Sequence, residues 1–93
     1  IPIKKKISLT VIDYNNEHSL YWCDVTPLWN DLVNKDNATR SDIILNKIHE
    51  GLATAFINMR GDGPTFMRFG DHWINITEVT AITVGKKVID GEV

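Results

Sequence analysis

The sequence predicts an α+β fold: an antiparallel β-sheet of four to five strands with two helices packed on one face. Three observations carry this. Apolar residues alternate with polar ones near the N-terminus. A stripe with the helical period of about 3.6 residues occupies the middle, and alternation broken by turn residues returns towards the C-terminus. The order ββ-αα-βββ places strands next to strands in sequence, which favours hairpins, and a sheet and a helix with one apolar side each bury them most simply as two layers.

Ile7, Leu9 and Val11 alternate with Ser8 and Thr10, the pattern of a half-buried strand. Asn15-Asn16 supplies a turn, because Asn tolerates left-handed backbone conformations. Ser19 to Val25, rich in aromatic and β-branched residues, returns as the second strand of a hairpin. Thr26-Pro27 is a helix start, with Thr as cap and Pro at the first helical position. Leu28, Trp29, Leu32 and Val33 give a short helix that ends over residues 34–37.

Ser41-Asp42 opens the second helix, and Ile44, Ile48, Leu52, Ala55 and Met59 form its apolar stripe. Gly51, in the middle of that helix, implies close packing against a neighbour. Arg60-Gly61-Asp62-Gly63-Pro64 is a loop, with Gly61 ending the helix. Phe66 to Phe69 and His72 to Ile76 pair across Gly70-Asp71, a type II′ hairpin turn. After a bend near Thr77-Glu78, Val79, Ile82 and Val84 form a last strand, and residues from Asp90 onward are expected to fray.

With 93 residues and no repeat or linker composition, residues 1–93 read as a single domain. The formal net charge of −2 argues against the large phosphate footprint of a duplex-DNA binder. One cysteine, Cys23, excludes an intrachain disulfide and points to a reducing, intracellular compartment. No apolar run is long enough for a membrane helix.

Catalytic and metal signatures are missing from the sequence. His18, His49, His72 and Cys23 lack the paired spacing that holds zinc. Cys23 has no neighbour that would lower its pKa, and neither a nucleophile elbow nor a phosphate-cradling loop is present. The expectation is a non-enzyme without cofactor or metal.

The aromatic residues point to binding. Strand alternation puts Tyr21 and Trp22 on opposite faces, and sets Trp73 outward if His72, Ile74 and Ile76 face inward. A helix-free sheet face carrying part of the set Trp22, Trp73, Phe66 and Phe69 needs cover. A two-fold homodimer would supply it, and a sheet curled into a barrel is the rival arrangement. Candidate binding residues are Trp22, Arg60, Asp62, Arg68, Trp73, Lys86 and Lys87. Arg60-Gly61-Asp62 matches a cell-adhesion tripeptide, but a tight loop accounts for it. The expected function is a self-associating binding module, regulatory or inhibitory towards a protein partner. The alternative is a single-strand nucleic-acid or nucleotide binder that uses the aromatic face and basic residues.

Overall fold

A computed structural model describes residues 3–59 and 63–92. The chain forms β1 (Lys5–Asp13), β2 (His18–Asp24), α1 (Thr26–Asp31), α2 (Asn37–Ile57), β3 (Phe66–Phe69) and β4 (His72–Asn75). A 3₁₀ turn at Ile76–Glu78 then leads into β5 (Val79–Val84) and β6 (Ile89–Asp90). The fold is the expected antiparallel α+β arrangement. β1 is the centre of a four-stranded sheet, with β2 on one side and, end to end along the other, β5 and the short β6, each paired to β1. The sheet does not close into a barrel: β2 and β5 are its edges.

The β3–β4 hairpin stands apart as a two-stranded sheet. Its Met67, Phe69 and Ile74 join Ile7, Leu9, Val11, Val25, Trp29, Ile44 and Ile76 in the core. Alternation makes this possible. The odd residues of β1 face the core, and their partners Cys23, Tyr21, Val84 and Ile82 share that side. Helix α2 lies beside β5, while the hairpin lies beside β2. At the hairpin turn, Gly70 has φ 60°, and an added Cβ would stand 3.3 Å from the Cys23 Cα. Glycine therefore serves both the type II′ turn and the close approach to β2.

Several local expectations change. Val25, not Thr26, occupies the α1 cap position, and it makes no side-chain cap bond. Thr26 instead accepts a hydrogen bond from the Lys5 amide at 2.9 Å, tying the helix start to β1. Helix α2 begins at Asn37, ahead of Ser41, because the Asp36 carboxylate accepts the Thr39 amide at 2.8 Å. Ser41 is buried and accepts the Val88 amide at 2.8 Å, which docks the C-terminal segment on α2. Ile89–Asp90 does not fray: it pairs with Lys5 and Lys6, and Asp90 forms an ion pair with Lys5. Gly51 is not a packing site, since an added Cβ there meets nothing within 4 Å. The α2 stripe is graded. Ile44 is fully buried, Ile48, Leu52 and Ala55 are half-buried, and Phe56 and Ile57 are exposed.

Candidate functional site

The three tryptophans have three environments. Trp29 is buried, with the Lys5 ammonium 4.7 Å and the Arg40 guanidinium 5.1 Å from its ring centre. Arg40 also donates to the carbonyls of Lys35 and Val33, so this cluster holds the α1–α2 connection together. Trp22 is half-buried on the outer face of β2, with Lys6 Nζ 4.1 Å from its ring centre. Trp73 is 67% exposed.

The expected shared aromatic face is therefore divided. Phe69 belongs to the core, at 6% exposure, because it alternates with Arg68 and faces the same side as Met67. Trp22 lies on the four-stranded sheet, whereas Phe66 and Trp73 lie on the hairpin. The outer face of the large sheet is mixed: Ser8, Thr10 and Thr83 stand beside Ile12 and Ala81 along β1 and β5, and Leu20, 58% exposed, neighbours Trp22 on β2. A solvated face of this kind is ordinary for an antiparallel sheet.

On the outward face of the hairpin, Arg68 pairs across the strands with Trp73, and Phe66 pairs with Asn75. Phe66 and Trp73 are thus diagonal neighbours, close enough for large side chains to make one surface. Phe66 is 56% exposed. The Arg68 Nε donates to the Gly70 carbonyl at 2.9 Å, which fixes the guanidinium beside the turn. On the opposite face His72 meets the Tyr21 ring edge-on, with centres 4.9 Å apart, and Met67 and Ile74 enter the core. The aromatic face is therefore displayed on an anchored ribbon.

Between the hairpin turn and β2 lies a cleft of about 450 Å³. Trp22, Arg68 and His72 line it, together with Lys4, Asp24, Asp71 and Glu92. Lys4 and Asp24 form an ion pair at 3.4 Å. Hydrogen bonds from Thr26, with Lys4 adding to them, hold the Asp24 carboxyl below its ordinary pKa. Carboxylates of Asp24, Asp71 and Glu92 face the cations Lys4 and Arg68, so the cleft does not concentrate positive charge. Lys86 and Lys87 open on another cleft, of about 560 Å³, beside the start of α2.

The structure thus brings Trp22 and Arg68 to one cleft, sets Trp73 across from Arg68, and separates both from Lys86 and Lys87. Arg60 and Asp62 lie outside the described residues, as does Gly61. Burial and the charges of Asp24 and Asp71 push the Cys23 thiol above its ordinary pKa, in keeping with a packing role beside Gly70. Among the described residues, no group of three or more His, Cys, Asp or Glu side chains is placed to hold a metal ion. No described helix is long and apolar enough to cross a membrane. Sequence reasoning grouped Phe66 with Trp73 in the aromatic set but left Phe66 off the candidate binding residues, and did not see the two as diagonal neighbours of one hairpin face. The signal was there in the two residues between Phe69 and His72, which set the hairpin register. Compared with protein-family models, curated proteins and solved structures, the chain matches none.

Proposed function

We propose that this chain is a non-enzymatic binding module that self-associates and presents the outer face of the β3–β4 hairpin to a protein partner in a regulatory or inhibitory role. The observation that carries the reading is the exposed trio Phe66, Arg68 and Trp73 on a ribbon whose other side is packed in the core. Tryptophan and arginine dominate binding hot spots, and a pre-ordered face loses little freedom when it is covered. The test uses selection from a random peptide display library against the immobilised chain. Enriched peptides should lose at least about 2 kcal/mol of affinity on Trp73→Ala. Enrichment that is indifferent to Trp73→Ala and Phe66→Ala contradicts the hairpin as the binding face.

The same trio favours a second reading, because bases stack on exposed rings and arginine planes. Arg68 is the only cation in the β3–β4 hairpin, however, and Lys86 and Lys87 open on a separate cleft. The second reading predicts binding of a labelled single-stranded oligonucleotide that weakens steeply with salt, with a shallower slope for Arg68→Ala. Absence of binding at low salt removes it.

A further inference from the structure

β5 is an edge strand whose sequence, Val-Thr-Ala-Ile-Thr-Val, has no charge, no proline and no glycine. Natural edges are usually blunted by charge, proline or cover, because their free backbone groups template pairing. The other edge is protected in this way: β2 carries His18 and Asp24, and the Gly70 turn and the His72 ring rest against it. Beside β5 runs an apolar groove of about 290 Å³, formed by Leu52, Ala53 and Phe56 of α2 and by Val79 to Ile82.

Self-pairing of this edge is electrostatically matched. Two copies of β5 running antiparallel set Glu78, just ahead of one strand, near Lys86 and Lys87, just after the other. All three are exposed, and none is in an ion pair among the described residues. A two-fold axis perpendicular to the sheet keeps core-facing residues on the same side in both copies. With the axis at Ile82, Ala81 faces Thr83 of the second copy, and Glu78 faces its Lys86.

We infer that a second copy of this chain occupies the β5 edge, joining two four-stranded sheets into one continuous sheet, with the α2–β5 grooves covered across the two-fold axis. This rests on the reading of the chain as a self-associating module and names the surface involved. Sedimentation equilibrium at micromolar concentration should give a dimer. Ala81→Lys with Thr83→Lys, at two exposed outer-face positions, should give a monomer with unchanged circular dichroism. Glu78→Lys alone should raise the dissociation constant up to about fivefold, and adding Lys86→Glu and Lys87→Glu should restore it, a rescue that only antiparallel pairing gives. A wild-type monomer overturns both this inference and self-association, leaving the hairpin's partner binding to its own test. A dimer that survives the two lysines but dissociates on Trp73→Ala overturns the edge alone and keeps self-association.

Discussion

Ile44 and Leu52 belong to one helical stripe but do not carry equal weight. Ile44 is fully buried in the core, whereas Leu52, two turns on, lines an open groove. Ile44→Ala leaves a closed cavity and should destabilise the fold by ~2–5 kcal/mol, with Leu52→Ala costing clearly less. Denaturant melts of the two variants check the ordering, and equal losses would mean the groove is filled in solution. The same grading explains what could be read at residue level. Periodicity picked Ile44, Ile48, Leu52 and Ala55 of α2, because spacing alone decides which positions share a face, but it missed Leu45 and carried the stripe on to Met59, beyond the helix end. It could not say how deeply each is buried, because that depends on where the sheet stops. Phe69 shows the limit again. Its neighbours gave its face only once the hairpin was known to pack inward.

Within α2, two residues have effects set by the helix itself. Gly51 is helical, and an added methyl meets nothing within 4 Å. Gly51→Ala should therefore stabilise the protein by about 0.5–1 kcal/mol, by reducing the freedom of the unfolded chain. A shift to a lower melting temperature would show contacts at this face that the monomer lacks. Asp36 caps the helix, and the bond from Thr39 holds its carboxyl below the ordinary value of 3.8. A group whose pKa is lowered on folding stabilises the fold above its unfolded pKa, and the contribution disappears as pH falls through the folded one. Asp36→Ala should thus lower the melting temperature at neutral pH, and the gap to wild type should narrow as pH drops below 3.8, by the part that depends on the carboxylate charge. Asp36→Asn should keep most of the cap while losing its pH dependence. Calorimetry across that range checks both.

At the scale of the molecule, the chain is longer than its mass requires. Its extents are 44 × 23 × 19 Å, and its radius of gyration is 14.2 Å, against the roughly 12 Å usual for this length. Helix α2 leaves Phe56 and Ile57 exposed in its last turn. Amide hydrogen exchange should be slowest in β1, which is paired on both sides, and fast in the last turn of α2. Protection of that turn rising with protein concentration would be the signature of self-association there.

The sequence by itself determined the class of fold, the order of its main elements, most of the α2 stripe and the turns at Asn16 and Gly70, because each follows from local chemistry: side-chain period and allowed φ. Only the tertiary structure decided that the β3–β4 hairpin packs as its own ribbon beside β2, that Ile89–Asp90 returns to β1, and that Trp22 and Trp73 stand on different sheets. These are long-range choices, set by which apolar faces can close on one another at a distance in sequence, and alternation along a strand fixes its two faces without saying which of them another element will cover.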